Sequence, residues 1–139
     1  MGRILAIDYG SKRCGIAVTD SLRILANGLT TVHSKDLIQF LDDYFKKECV
    51  DIVVVGEPKT LKNNKSDSAR FIDPFVTHLH RKFPDKIIDR FDERFTSTIA
   101  HQTMLQGGLK KKHRRVKETV DIISATLILQ GYMELLNNR

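Results

Sequence analysis

The stretch Ile4–Asp20, ILAIDYGSKRCGIAVTD, decides the fold. Its first four residues form an unbroken apolar run, which is typical of a strand buried on both faces. Asp8 ends this run, and glycines and cations supply turn residues before a second, β-branched run over Gly15–Thr19. The pattern predicts a hairpin on a central strand, with a carboxylate at the carboxyl end of that strand.

Asp8 begins the spacing DxGxxxxG, which fits two classes of protein. In ATPases of the actin and sugar-kinase class the glycines admit ATP phosphates, and in RNase H-like nucleases the first-strand aspartate holds a divalent metal. A third hypothesis is that Asp8 only caps the turn through its own backbone. A chain of 139 residues leaves no room for the second lobe that closes over nucleotide in the ATPases, which favours the nuclease class.

Length and composition predict a single domain over residues 1–139. No apolar run approaches the roughly 20 residues of a membrane span, and the apolar run before Asp8 is too short for a signal peptide. Cys14 and Cys49 are isolated and lack metal-ligand spacing, which suits a reducing compartment. We therefore expect a cytoplasmic protein without a membrane partner, and the oligomeric state is left open.

The net charge of +6 is concentrated in one short segment. The basic run, residues 110–117 (KKKHRRVK), contains six cations and no acid, and the remaining Lys and Arg equal the 17 acids in number. A solvated surface is the ordinary explanation of such a run. The concentration of charge instead favours contact with a polyanion, with nucleic acid as the first candidate.

The rest of the chain predicts helices that alternate with strands after an antiparallel meander of three strands. Ser34 is a candidate N-cap for the first helix. Asp73 either caps a helix that has Pro74 at its first position, or lies in a helix that starts earlier and kinks. Strands are predicted over 4–7, 15–19, 23–32, 52–55 and 87–91, and helices over 34–48, 72–83, 96–105 and 117–137.

Three acids fall at predicted ends of elements. Asp8 ends the first strand, Glu93 follows the fifth, and Asp121 lies early in the last helix. Small residues at Ser124 and Ala125 would let that helix approach the sheet and aim Asp121 at Asp8. Carboxylate oxygens suit Mg²⁺ or Mn²⁺, and two such metals about 3.5–4 Å apart promote phosphodiester cleavage. Taken singly, each acid is also explained by a surface salt bridge.

Four segments carry a resemblance to a known family: DYGSKRCGIAVTD (8–20), VVGEPK (54–59), DERFTS (92–97) and KETVDIISATLILQGYM (117–133). In order and spacing they resemble the YqgF family, RNase H-fold proteins that are similar to Holliday-junction resolvases. The resemblance covers essentially the full chain. It implies an α/β, RNase H-like fold, in which a five-stranded mixed sheet with an antiparallel first three strands is flanked by helices.

The resemblance also implies a site. Asp8, Glu93 and Asp121 would be the catalytic acids and would hold Mg²⁺ or Mn²⁺. Glu57 departs from the apolar residue usual at its position, and is either a fourth ligand or an exposed loop residue. Cys14 replaces a residue that is usually aliphatic. The residues expected to bind nucleic acid are Lys12, Arg13, Arg94, Thr96 and Ser97 from the family motifs, and Lys110, Lys111, Lys112, Arg114, Arg115 and Lys117 from the basic run.

The resemblance therefore predicts a metal-dependent endonuclease that hydrolyses phosphodiester bonds in structured RNA, at the 5′ end of pre-16S ribosomal RNA. One alternative is cleavage of branched DNA, as in a Holliday-junction resolvase. Another alternative is a ribosome-assembly factor that binds nucleic acid without catalysis.

Overall fold

A computed structural model describes residues 2–57, 69–92 and 116–137. Within these ranges the strands are β1 (Arg3–Asp8), β2 (Arg13–Thr19), β3 (Ala26–His33), β4 (Val50–Glu57) and β5 (Ile87–Asp92). The helices are α1 (Leu37–Lys47), α2 (Ala69–Lys82) and α3 (Val116–Asn137), and a 3₁₀ turn over Ser34–Asp36 precedes α1. The helix predicted over 96–105 lies outside the described residues.

The five strands form one mixed sheet in the order β3-β2-β1-β4-β5. β1 pairs antiparallel with β2, and β2 pairs antiparallel with β3. β4 runs parallel to β1 on one side and to β5 on the other. The predicted five-stranded mixed sheet with three antiparallel strands at its start is therefore confirmed. Because β1, β4 and β5 are parallel, their carboxyl ends lie at the same edge of the sheet.

Successive side chains of each strand alternate between the two faces of the sheet, and each face has its own hydrophobic core. Leu5 and Ile7 of β1 lie in the core that α1 and α2 cover. Ile4 and Ala6 lie in the core that α3 covers. Each fully buried leucine or isoleucine contributes about 1.5–3 kcal/mol to stability. Asp8 continues the alternation of Ile4 and Ala6, and it therefore faces α3.

α3 packs on this second face through Ala125, Ile128 and Leu129, which are buried. Over Thr119–Asn137 the helix is also long and apolar enough, by length and composition, to cross a membrane. This segment qualifies the expectation that no apolar stretch reaches that length. The core helices of soluble proteins can be equally long and apolar. In α3, the three buried residues are apolar because they pack against the sheet.

Ser34 is not the N-cap of α1, which corrects the sequence prediction. His33 precedes the 3₁₀ turn, and its Nδ1 accepts a hydrogen bond from the backbone N–H of Lys35 at 3.3 Å. The Ser34 hydroxyl instead donates to the carbonyl oxygen of Gly10 at 2.6 Å. This bond ties the start of α1 to the loop that follows β1.

α2 begins before Asp73, as the second of the two sequence alternatives has it. The helix starts at Ala69 and contains Pro74. The Asp73 carboxylate lies 2.8 Å from Nη1 of Arg90, which is on β5. The ion pair therefore joins α2 to the sheet.

Candidate active site

Asp8 lies at the carboxyl end of β1, directly opposite Gly15 in the antiparallel ladder with β2. A Cβ atom on Gly15 would overlap the backbone carbonyl of Asp121 in α3. The missing side chain therefore allows the helix to cross β2 in direct contact with its backbone. This close approach brings the first turns of α3 beside the end of β1, and Asp121 beside Asp8.

The two carboxylates affect each other electrostatically. Burial, and to a smaller extent the negative charge of Asp121, raise the pKa of Asp8 from 3.8 to about 6. Both effects disfavour the ionised form of Asp8, because it has lost water and faces a like charge. The pair is therefore a place where a cation would be stabilised.

Arg13 provides positive charge to this pair. Its Nε donates a hydrogen bond to Oδ2 of Asp121, and the two side chains form an ion pair. The Asp121 side chain is 17% exposed and that of Arg13 is 38% exposed. The guanidinium therefore lies toward solvent and the carboxylate lies deeper.

The loop between β1 and β2 is fixed at several points. The Ser34 hydroxyl donates to the Gly10 carbonyl, and the Ser34 backbone N–H donates to the carbonyl of Lys12 at 2.9 Å. Tyr9, at the start of the loop, stacks on Phe75 of α2 with ring centroids 4.2 Å apart. These contacts hold the loop at both ends.

An open depression of about 270 Å³ adjoins the loop and is lined by Gly10, Ser11, Lys12, Arg13 and Asp121. Two cations and one carboxylate thus line the same surface. Arginine and lysine are the side chains that bind phosphate, arginine through its planar fork and lysine as a point charge. The depression can accept a phosphate group beside the carboxylate pair.

Cys14 lies beneath this loop, where it is fully buried. Burial raises the pKa of its thiol. The residue therefore stays protonated at neutral pH and packs as a small apolar side chain, in keeping with the aliphatic residue that is usual at this position.

The structure thus brings four of the predicted site residues, Asp8, Lys12, Arg13 and Asp121, to one edge of the sheet. Lys117 falls within α3, but its side chain is outside the described part of the chain. Within residues 2–57, 69–92 and 119–137 no three metal-ligating side chains form a cluster. The predicted site residues that lie outside the described residues are Glu93, Arg94, Thr96, Ser97, Lys110, Lys111, Lys112, Arg114 and Arg115.

Glu57 is not an exposed loop residue, which corrects one of the two sequence alternatives. It ends β4, its side chain is 13% exposed, and its Oε1 lies 3.2 Å from Nη2 of Arg90. Val53 and Val55 belong to the core covered by α1 and α2. Glu57 continues their alternation, so it leaves the sheet on the face opposite to Asp8. The structure does not bring this acid into the Asp8 and Asp121 pair.

The donor set of Asp8 and Asp121 fits a divalent cation. Mg²⁺ is bound in proteins by one or two carboxylates, and keeps water or substrate phosphate as its other ligands. Asp8 is half-buried, and its pKa is raised to about 6 by burial and by the neighbouring Asp121. A divalent cation would stabilise the ionised form of both carboxylates. The third acid predicted for the site, Glu93, follows directly after β5, which ends at this edge.

Sequence reasoning missed two residues that shape the site. The sequence predicts Gly15 only as the boundary between the turn and the second strand, and it assigns the approach of α3 to Ser124 and Ala125. Ala125 is indeed buried, but the contact that brings Asp121 to the sheet lies at Gly15. A glycine within a strand pattern is a signal of close backbone approach, and it could have indicated this role. Ser34 gave no signal other than that of a cap.

Comparisons with known proteins place this geometry in a family context. A family model described as "RuvX: Holliday junction resolvase" matches residues 2–135. A protein of Phocaeicola vulgatus named "Putative pre-16S rRNA nuclease" is 57% identical over 134 residues, which cover 96% of this chain and 96% of that protein. Proteins with the same name from Flavobacterium psychrophilum and Bacteroides fragilis are 56% and 52% identical, and the matches cover 96% of this chain and 97% of each relative.

Proposed function

The chain belongs to the family described as RuvX, Holliday junction resolvase, and on this premise we propose that it is a metal-dependent nuclease that hydrolyses phosphodiester bonds. Asp8, Glu93 and Asp121 would hold Mg²⁺ or Mn²⁺. The observation that supports the proposal most is the pairing of half-buried Asp8 with Asp121 beside Gly15, next to a depression lined by two cations.

In this proposal the carboxylates and the cations have separate tasks. Asp8 and Asp121 would supply oxygen ligands, and Asp8, with a pKa raised to about 6, is mostly ionised at any pH above this value. A divalent ion held there would supply activation of water and stabilisation of the leaving oxygen. Lys12 and Arg13 line the depression and would bind the substrate phosphate.

The anchored loop positions those cations. The bonds from Ser34 to Gly10 and Lys12 fix the backbone on which the cationic side chains are carried. Fixed donors lose less conformational freedom when a phosphate binds, and a phosphate held in one orientation presents the scissile bond consistently. The basic run would extend this cationic surface along a longer nucleic acid.

We propose precursor 16S ribosomal RNA as the substrate, because the relatives are named putative pre-16S rRNA nucleases. Cleavage at its 5′ end, in the cytoplasm, is the further part of the proposal, and it comes from the sequence analysis. Branched DNA is the second candidate, because the family description names the Holliday junction. Both are polyanions, and the cations of the depression suit either one.

A cleavage assay with the purified chain tests the proposal. The substrates are a precursor RNA that contains the 16S 5′ leader and a four-way DNA junction, each with Mg²⁺, Mn²⁺ or EDTA. We expect cleavage of the precursor RNA with metal and none in EDTA. Cleavage of the junction alone would favour the resolvase. Binding without cleavage of either substrate, under every metal condition, would favour the assembly factor.

The control variant is Asp20→Asn. Asp20 follows β2 at the opposite edge of the sheet, and its Oδ1 accepts hydrogen bonds from the backbone of Ile24 and Leu25 at 2.7 and 2.9 Å. It should cleave as wild type does, whereas Asp8→Asn should not. Cleavage that survives in EDTA would contradict the proposal.

A further inference from the structure

Arg13 has two prospective partners, and this suggests a role beyond phosphate binding. It is the first residue of β2, it pairs with Asp121, and it lines the depression beside Lys12. The Nε–H that binds Asp121 is one of the five donors of the guanidinium, so a substrate phosphate can use all five only when this bond is released. Its commitment to Asp121 must therefore weaken before it binds phosphate fully.

We propose that Arg13 is an internal counter-ion, which holds Asp121 in the metal-free protein and is released toward the substrate when a divalent cation binds at Asp8 and Asp121. The inference rests on the proposed function, because it assumes that these carboxylates bind metal. It makes Arg13 a positioning residue for Asp121 in one state and a phosphate ligand in the other. Metal binding and nucleic-acid binding are then coupled through one side chain.

The charges at the site support this exchange. In the metal-free protein, half-buried Asp8 lies beside the like charge of Asp121, and Asp121 is ion-paired with Arg13. A divalent cation at the two acids attracts the same carboxylate and repels the guanidinium. The cation therefore weakens the binding of Arg13 to Asp121, and Arg13 weakens the binding of the cation. By thermodynamic linkage, the two affinities change by the same factor.

The backbone at Arg13 is fixed, so the exchange involves only its side chain. Arg13 is paired with His33 in the β2–β3 ladder, and the preceding carbonyl of Lys12 accepts a hydrogen bond from Ser34. The side chain itself is 38% exposed and borders the depression, so it has room to turn away from Asp121. Release of the guanidinium requires no refolding of the loop.

The first test measures the reactivity of Arg13 with phenylglyoxal, by peptide mass mapping of the full chain in EDTA and in saturating Mn²⁺. In wild type the modification of Arg13 should be slow in EDTA and several-fold faster with Mn²⁺. In Asp121→Asn it should be fast in both conditions. Arg23 is the internal reference, because its Nη2 lies 3.1 Å from Oδ2 of Asp51, away from the site. Its rate of modification should be the same in EDTA and in Mn²⁺.

The second test measures Mn²⁺ affinity without nucleic acid, by calorimetry. Arg13→Gln should bind Mn²⁺ on the order of tenfold more tightly than wild type, within the 5–150-fold range typical of coupled ligands. Lys12→Gln is the matched control. Lys12 precedes Arg13 directly, carries the same charge on an exposed side chain and lines the same depression. Its effect should be clearly smaller.

The outcomes separate this inference from the proposed function. Mn²⁺ binding with unchanged Arg13 reactivity, or equal tightening by both Gln variants, overturns the inference alone. Failure of wild type to bind Mn²⁺ overturns both the inference and the metal-dependent nuclease. The expected Arg13 behaviour in a protein that cleaves no nucleic acid would support the inference and overturn the proposed function.

Discussion

Replacing Asp8 by Asn should stabilise the metal-free protein, although it removes a proposed catalytic acid. Burial, and next the charge of Asp121, raise the pKa of Asp8 from 3.8 to about 6. Between these values the folded state holds a proton that the unfolded chain has lost, so the stability of wild type falls as pH rises through this window. At a pH above this window, the ionised Asp8 carboxylate lowers the free energy of unfolding of wild type by a constant amount.

The magnitude follows from the two pKa values. At 1.36 kcal/mol per pKa unit, the difference between 3.8 and about 6 corresponds to about 3 kcal/mol. Asp8→Asn should therefore raise the free energy of unfolding in EDTA by up to this amount at about pH 8. The gain should shrink to about 0.5 kcal/mol at about pH 4, where the folded state keeps the Asp8 proton and the unfolded chain keeps it roughly half of the time.

Urea unfolding in EDTA, followed by far-ultraviolet circular dichroism because the chain has no tryptophan, measures both values. Asp20→Asn is the control of opposite sign, because backbone hydrogen bonds lower the pKa of Asp20 and its charge is favourable in the folded state. It should be no more stable than wild type at either pH. Two results would refute this explanation: equal stability of Asp8→Asn and wild type at about pH 8, or a gain at about pH 4 as large as that at about pH 8.

Three further predictions concern other parts of the molecule. Gly15→Ala should lower the free energy of unfolding by about 1–3 kcal/mol in urea titrations, since its methyl group overlaps the Asp121 carbonyl, and wild-type stability would contradict this. Changing the cations of the basic run, 110–117, to Gln should reduce the log–log salt slope of nucleic-acid binding by roughly 0.7–0.9 per lost phosphate contact, and an unchanged slope would show a merely solvated run. Iodoacetamide should modify exposed Cys49 well before buried Cys14, whose pKa is raised by burial, and mass mapping that finds equal rates would contradict the described packing.

The strands were largely predictable because their signal is local. The apolar run over 4–7 predicts a strand that the structure extends to Arg3–Asp8, and the run over 52–55 is extended to Val50–Glu57. The added residues are polar or lie beside turns, and they join the strands through backbone pairing with neighbours. Apolar patterns identify the buried centre of a strand, whereas its ends depend on its partners.

The prediction of an N-cap at Ser34 was wrong, and of the two alternatives for Asp73 the cap is the one that the structure does not have. Ser34 and Asp73 both carry the side-chain oxygen of an N-cap, and both use it on a distant partner. Ser34 donates to Gly10, and Asp73 pairs with Arg90. A local sequence pattern cannot rank a cap against a tertiary bond whose other half comes from another segment.

The candidate site was predictable in part. An acid at the end of an apolar strand and an acid early in a helix are visible in the sequence, and the structure brings Asp8 and Asp121 together. The contact of Gly15 with α3, and the face on which Glu57 leaves the sheet, depend on how the helix crosses the strands and on the register of the sheet. The ion pair between Arg13 and Asp121 likewise arises only from the folded arrangement.

The central claim is that Asp8 and Asp121 act as one unit in phosphodiester cleavage. The most direct measurement is the single-turnover cleavage rate with Mn²⁺ for wild type, Asp8→Asn, Asp121→Asn and the double variant. Each single variant should be slower by roughly 100-fold or more, because the loss even of groups that only orient metal ligands costs 10–100-fold. The double variant should be little slower than either single one. Cleavage at the wild-type rate by either single variant would contradict the account.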